Sequence, residues 1–440
     1  MSQPSWHPAG ASGTPGAPVM ASGPSGFDPR AVRAQFPLLG TSRARPLVYL
    51  DSAATSQKPQ SVLDAMDRYY TTCNANIHRG VYAIAEEATA LYEDARRRFA
   101  RFVNASPREI VFTRNSTEAL NLVARAYGGW ALRAGDAVLL TPMEHHSNLV
   151  PWHMLAADKG IELRFIPLTA TGELDLSALP GLLADGKVKL VSFVHVSNVL
   201  GTVNPAVEIT RIAKVHGATV VLDASQSAAH MALDVKALGV DFMACTAHKM
   251  LGPTGIGMLY GRRELLEAMP PFLGGGEMIR TVSLTTSTWN ELPWKFEAGT
   301  MAIAEAVGLG AAIAYLEGLG MDAVWAHDRA LVAYALERLA EVPGLRVLGP
   351  AAEHRGGVVA FTLEGVLRDE CGRAIRSLGD RAVPGLARRQ FAPGRGLARQ
   401  RRYATYQLDR MDRVRPRRAL AAMPDDRRAT ARNSASDTGA

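Results

Sequence analysis

The sequence is poor in cysteine. Only Cys73, Cys245 and Cys371 occur in 440 residues, without the even count and regular spacing of a disulfide framework. This excludes a stapled secreted scaffold and suggests a reducing compartment, with the cytoplasm as the expected location. No apolar run reaches the roughly 18 residues of a membrane span, so no membrane partner is expected. The N-terminus lacks the basic start and apolar core of a secretory signal. No Walker sequence, dinucleotide fingerprint or H-E-x-x-H helix is present. Gly274-Gly275-Gly276 is not followed by lysine and reads as a flexible loop near a site, not a phosphate cradle. Glu144-His145-His146 could suggest a metal, but adjacent histidines point apart along an extended chain and no cysteine lies near, so no metal is expected. Lysine is absent from residues 367–440, which hold 18 arginines and 8 acidic residues. That segment therefore carries +10 of a net +7, leaving −3 for the body. The basic character does not belong to the folded part, and no nucleic-acid partner is expected.

What is present is an alternation of short apolar runs and longer amphipathic stretches. Residues 1–27, rich in Pro, Gly, Ser and Ala, read as a disordered leader. Strands are expected at Ile110–Thr113, Ala137–Thr141, Leu163–Ile166, Leu190–Val196, Thr219–Leu222, Phe242–Cys245 and Gly257–Tyr260. Helices are expected at Glu86–Phe102, Thr117–Tyr127, Val150–Ala157 and Ala206–Val215. The order implies an α/β fold, a mostly parallel sheet flanked by helices. Glu305–Gly318 and residues 323–342 read as further helices, and Leu345–Leu348 and Gly357–Leu363 as strands of a second, smaller domain. Beyond about Val366 the periodicity decays.

Ligands of open α/β sheets bind beyond the carboxyl ends of the strands. Five expected strands deliver polar groups there: Arg114 to Glu118, Glu144 to His146, Ser197-Asn198, Asp223 to Gln226, and Thr246 to Lys249. Taken singly each has an ordinary reading: Lys249 as a surface charge, Asp223 as a helix cap, Asn115-Ser116-Thr117 as an N-cap sequence. Together they match the needs of pyridoxal phosphate (PLP). That cofactor requires a lysine amine for a Schiff base, an acid beside its pyridine nitrogen, hydroxyls and N–H groups at a helix start for its phosphate, and an aromatic ring over its face. Lys249, Asp223, Ser116-Thr117 and His145 fit these four roles.

From about Phe27 to Val366 the chain resembles the class V aminotransferase superfamily of fold-type I PLP enzymes, and most nearly the SufS-like group II cysteine desulfurases and selenocysteine lyases. The resemblance is carried by Tyr49-Leu50-Asp51-Ser52-Ala53-Ala54, Asn76-Ile77-His78-Arg79-Gly80, Met143 to Asn148, His195 to Gly201, Thr246 to Gly255 and Phe296-Glu297-Ala298-Gly299-Thr300. It implies a large seven-stranded PLP-binding domain over 51–300, with 28–50 and 301–366 contributing to a small α/β domain and 367–440 a divergent, disordered or misframed tail. It implies that Lys249 carries the cofactor and moves protons, that His145 stacks on the ring and acts in acid–base steps, and that Asp223 pairs with the pyridine nitrogen. Gln226 would donate to the phenolic oxygen, and Asn198 would touch cofactor or substrate carboxylate. Ser116, Thr117, Thr246 and His248 would hold the phosphate, with Thr300 from the partner of a homodimer. His78 and Arg79 would flank the substrate entrance. The implied reaction converts L-cysteine to L-alanine and passes sulfur to an acceptor protein of iron–sulfur assembly.

The chain departs from the family pattern at Met301, often Pro, and more seriously near its end. An Arg-x-Gly-His-His-Cys-Ala-like segment, whose cysteine takes the sulfur, is expected about 20 residues past the Gly-Val-Val-Ala-Phe strand and is absent. Leu386 to Phe391 stands near its place, and Cys371 comes too early, without the His-His pair. Two alternatives to a desulfurase are therefore kept: a lyase acting on L-selenocysteine or a similar substrate, and an inactive PLP-binding protein.

Overall fold

The computed structural model describes residues 28–42, 47–364 and, as backbone, 404–407. Seven short strands form one sheet: β1 Ile110–Thr113, β2 Ala137–Leu140, β3 Glu162–Phe165, β4 Val188–Val194, β5 Thr219–Asp223, β6 Phe242–Thr246 and β7 Gly257–Gly261. Their order is β1-β7-β6-β5-β4-β2-β3. β7 runs antiparallel to β1 and β6, while the other pairs are parallel. The expected α/β architecture is thus what the chain adopts.

Alternate strand residues face opposite sides of a sheet, and the two sides hold separate cores. Ile110, Leu139, Val191, Phe193, Val220, Leu222, Met243 and Met258 point to one face, against Phe99 and Leu309. Val111, Val138, Leu190, Val221, Phe242, Ala244 and Leu259 point to the other, against Trp152 and Leu155. Burial on both faces explains why these strands read as continuous apolar runs. The first face is covered by the helices Ala83–Phe102, Ala206–Val215 and Ile303–Leu319, the second by Ser116–Leu122 and Val150–Lys159.

Several boundaries differ from the sequence reading. Val188–Val194 begins and ends two residues early, because Val196 lies beyond the sheet in an isolated bridge to Val203. The helix expected over Thr117–Tyr127 is α only as far as Leu122 and widens to a π-turn at Val123–Gly128. A Cβ on Gly128 would lie 2.7 Å from Leu155, so this glycine lets the widened turn meet the next helix closely. The helix Gln60–Thr72 and the hairpin β8 Ile279–Val282 with β9 Ser287–Trp289 were not expected. The first buries Val62 and Tyr69 and packs Ala65 and Met66 against the core, an apolar period that sequence reading passed over, whereas the second buries no residue and writes none.

β10 Leu345–Leu348 and β11 Val358–Leu363 form a second, antiparallel sheet with β12 Ala404–Gln407. β12 falls inside the segment expected to lack structure, and its Thr-Tyr core has the propensity to add to an open edge. The rest of 367–440, including Cys371 and the expected place of the His-His-Cys segment, lies outside the described residues. Among the described residues no single helix is long and apolar enough to cross a membrane.

Candidate active site

The parallel strands end together, so the residues that follow them gather at one edge. β5 ends in Asp223 and β6 in Thr246, with Asp223 paired in register with Val194 and Ala244. The next main-chain bonds continue the pattern: His195 donates N–H to the Asp223 carbonyl, and Ala224 to that of Ala244. The loop after β2 brings Glu144 and His145. The loop after β1 starts the helix at Ser116, capped by Asn115 through Glu118 N–H at 3.0 Å. A Cβ on Gly257 would stand 2.4 Å from Asn115 C and 2.8 Å from Ser116 N. Only glycine in β7 lets this helix start sit so near the end of β6.

Lys249 lies in the tight turn after β6. Burial pushes its ammonium pKa down, while the Asp223 carboxylate pulls it upward. Burial favours a neutral, nucleophilic amine. His145 is also held below its usual value, first by burial and then by Lys249 and His146, against Asp223. Its Nδ1 accepts the Ser147 N–H at 3.1 Å and lies 2.7 Å from Ser147 Oγ. An N–H donor at Nδ1 places the proton of the neutral ring on Nε2. Asp223 is 2% exposed, and its Oδ1 accepts the Ser225 N–H at 2.9 Å. His248 is pushed down to about 4 by burial and by the charges of Lys249 and Lys58. Asp223, Lys249, His145 and His248 therefore form one electrostatic cluster.

Around it stand polar atoms that the protein leaves unpaired. Asn198 Oδ1, Ser225 Oγ, Thr246 Oγ1 and His195 Nδ1 are buried without a hydrogen-bond partner among the described residues. Buried polar groups are nearly always paired. Four orphans beside a half-buried lysine and a buried carboxylate fit a polar ligand with a phosphate and a heteroaromatic ring. Ser116 is buried at the helix start and Thr117 exposed beside it, which suits an anion at that N-terminus. Gln226 is buried and donates one amide N–H to the Ala53 carbonyl at 3.0 Å, which leaves a second for another acceptor.

The remaining expected residues lie on the periphery. His78, in the left-handed region at φ 66°, bonds through Nε2 to Glu93 at 3.1 Å and stands edge-on to Tyr92 and Trp294. Exposed Arg79 reaches Glu277 at 3.1 Å. Thr300 is exposed, after Gly299, whose N–H donates to Gly276. No bond joins these three to the Lys249 cluster.

Sequence reading missed the framework beneath. Glu144, weighed there only as a possible metal ligand, is 1% exposed and accepts from Thr141 Oγ1, Asn148 Nδ2 at 2.6 Å and Val194 N–H at 3.0 Å. It ties the His145 loop to β4, and burial raises its carboxyl to about 8. Ser56 was also missed. Only its position in space, 192 residues before His248, reveals it.

An open α/β sheet that places a half-buried lysine, a buried aspartate and a histidine held toward its neutral form at its carboxyl edge defines a PLP-dependent enzyme of fold-type I. The class-V aminotransferase family matches residues 48–379. A "Probable cysteine desulfurase" of Streptomyces coelicolor is 53% identical over 365 residues, 81% of this chain and 87% of that protein. A cysteine desulfurase of Dickeya dadantii is 49% identical over 81% of this chain and 88% of its own. The crystal structure of the cysteine desulfurase CsdA (S-sulfonic acid) from Escherichia coli superposes with a TM-score of 0.79 at 34% identity, covering 92% of this chain and 99% of that one. The apo structure of a cysteine desulfurase from Thermococcus onnurineus NA1 gives 0.76 at 40% identity, over 79% and 85%. The chain belongs to the class-V aminotransferase family, among its cysteine desulfurases, and its cofactor is pyridoxal phosphate.

Proposed function

We propose that this protein takes sulfur from L-cysteine, leaving L-alanine, with Lys249 as the cofactor lysine and the carboxyl edge of the sheet as the site. The observation that carries the reading is the cluster of half-buried Lys249 and His145 about buried Asp223, beside four unpaired buried polar atoms. Bound there, pyridoxal phosphate supplies an aldehyde that condenses with amines and a ring that draws electrons from the substrate Cα. The side chains do the rest. Asp223 keeps the pyridine nitrogen protonated. Lys249 Nζ, its ammonium disfavoured by burial, would accept and return protons. His145 would cover the ring, with its Nε2–H available as a proton donor. Thr246, His248, Ser116 and Thr117 hold the phosphate. Gln226 gives its spare N–H to the phenolic oxygen, and Asn198 orients the substrate carboxylate. His78 and Arg79 line the entrance.

Sulfur leaves the substrate Cβ by attack of a thiolate, forming a persulfide, and a proton replaces it on carbon. Neither described cysteine suits that step. Cys73 and Cys245 are buried, and burial pushes the Cys245 thiol far up. Reactive cysteines are exposed and low in pKa. This favours a second reading in which the same site releases selenium from L-selenocysteine, whose weaker carbon bond needs the thiol less.

Two copies form the working unit in this proposal, each lending Thr300 to the other's phosphate. Its support is the exposed Thr300 and a hairpin bearing Val282, Leu284 and Trp289 in the open. Residues 51–300 serve as the large cofactor domain, and 28–50 with 301–366 begin the small one. Location in the cytoplasm, with sulfur delivered to an acceptor protein of iron–sulfur assembly, completes the proposal.

The test is alanine, sulfide and selenide formation from L-cysteine and L-selenocysteine by the holoprotein and by Lys249→Ala. Alanine from cysteine, lost by at least about a thousandfold in the variant, is expected for a residue acting in covalent and proton-transfer steps. Selenide without sulfide supports the second reading. Holoprotein inert toward both substrates overturns the two together.

A further inference from the structure

We infer that Ser56, with Thr55 and Lys58, is a positioning clamp that fixes the Lys249 turn and thereby the strength and pH range of cofactor attachment. This rests on Lys249 being the cofactor lysine.

Lys249 sits in a turn that closes on itself. Met250 and Gly252 both donate N–H to the Ala247 carbonyl, at 2.8 and 3.0 Å. Leu251 is forced into the left-handed region at φ 64°, costly for a γ-branched residue. A Cβ on Gly252 would approach Ala247 to 3.0 Å. Such a turn leaves two main-chain groups directed outward, the His248 carbonyl before the lysine and the Leu251 N–H after it. One side chain takes both. Ser56 Oγ donates to the His248 carbonyl at 2.9 Å and accepts the Leu251 N–H at 2.9 Å. The Ser56 N–H donates to the same carbonyl at 2.9 Å.

The His248 oxygen receives two further donors, Thr55 Oγ1 and Lys58 Nζ, each at 3.2 Å. Four donors on one carbonyl exceed its two lone pairs. The excess marks a point where a distant segment is pinned to the turn. The clamp is itself anchored: Tyr49 OH donates to the Thr55 carbonyl at 2.7 Å, and Gln226 Nε2 to Ala53 at 3.0 Å. Ser56 is 6% exposed, so water does not compete for these bonds. Burial lowers the Lys58 ammonium to about 8.

The consequence falls on Lys249 alone. Its side chain has four rotatable bonds, so its reach is set by where its main chain is held. The clamp holds that main chain on both sides, and neither Ser56 nor Thr55 need touch the cofactor. A turn free to unwind at Leu251 would let the amine drift from Asp223, and orientation of a reacting group governs its efficiency.

The experiment compares wild-type holoprotein with Ser56→Ala and Thr55→Val. The readouts are the rate at which pyridoxal phosphate leaves into excess scavenger and the pH midpoint of the visible cofactor band. Ser56→Ala removes the two Oγ bonds and keeps the backbone one. It should release cofactor about tenfold faster, the effect of losing roughly one buried hydrogen bond, and shift the midpoint, while apo-protein circular dichroism is unchanged. Thr55→Val should act in the same direction, less strongly, and carries the test should Ser56→Ala not fold. Wild-type release and midpoint in the folded variants overturn the clamp. A pyridoxyl group fixed by borohydride to a lysine other than Lys249 in the wild-type holoprotein overturns the assignment of the lysine instead, whatever the serine variant does.

Discussion

At the scale of the residue, burial sets the chemistry of this site. Lys249 and His145 are both held toward their neutral forms by the same cause, and one ion, the Asp223 carboxylate, opposes it in each. His195 shows the effect without a partner. Its Nδ1 is orphaned, and burial takes its pKa to about 4 from 6.5. Between those values the native chain binds fewer protons than the unfolded one, so acid favours unfolding. Stability from this group is full above pH 6.5 and is lost as pH falls toward 4, on the order of 3 kcal/mol in all. Urea denaturation of the apo-protein at pH 7 and pH 4.5 should therefore show a smaller acid loss in His195→Asn than in the wild type. Equal losses would refute the assignment. Such a group is hard to read from sequence. Lys249, by contrast, stood out from its flanks, because a strand followed by a Gly/Pro-bounded turn leaves few positions for a reactive amine.

At the scale of the element, what the sequence made legible was the set of seven strands, because both of their faces are buried. The helix Gln60–Thr72 was passed over although Val62, Ala65, Met66 and Tyr69 mark its inner face, and it follows directly on the Ser56–Lys58 clamp. Long-range pairing, by contrast, was unreadable. Arg96 and Glu297, 201 residues apart, form a fully buried bidentate pair at 2.6 and 2.9 Å. Tyr92 OH and the Phe112 N–H also donate to that carboxylate, at 2.9 and 2.7 Å. Glu297→Ala would leave the buried guanidinium with Glu93 as its remaining acid and the Ile110 carbonyl as a further acceptor, and should lower stability by about 3 kcal/mol in denaturant titration, the lower end for a broken buried pair. A loss under 1 kcal/mol would mean that water replaces the pair. The glycine in β7 makes a second element-scale prediction. Gly257→Ala drives a methyl into Asn115 and Ser116, so the helix start must shift by a few tenths of an ångström or more. Cofactor affinity should fall at least tenfold, measured by equilibrium dialysis, with far-ultraviolet circular dichroism retained. Unchanged affinity would place the phosphate elsewhere.

At the scale of the whole molecule, the two sheets meet at one buried arginine. Arg355 donates to the carbonyls of Leu348, Pro350 and Val358 beside it and to Leu200 of the loop that carries Asn198. A Cβ on Gly201 would lie 2.3 Å from the Val358 carbonyl, so the seam depends on glycine as well. The second sheet is thereby joined to the site even though the segment expected to hold the sulfur-accepting cysteine lies outside the described residues. Cofactor binding to the folded form alone raises stability by mass action. Removing pyridoxal phosphate should thus lower the melting temperature, and adding it back should restore it; no change would mean the folded site does not select the cofactor.

Lys249 is the lysine on which the site depends, and the chain offers a rival. Lys58 is also lowered by burial and lies at the same turn, with its Nζ on the His248 carbonyl. Borohydride reduction of the holoprotein, followed by digestion and mass spectrometry, fixes the cofactor to its lysine permanently. The account predicts the pyridoxyl group on Lys249 alone. Its appearance on Lys58 or any other lysine would contradict it.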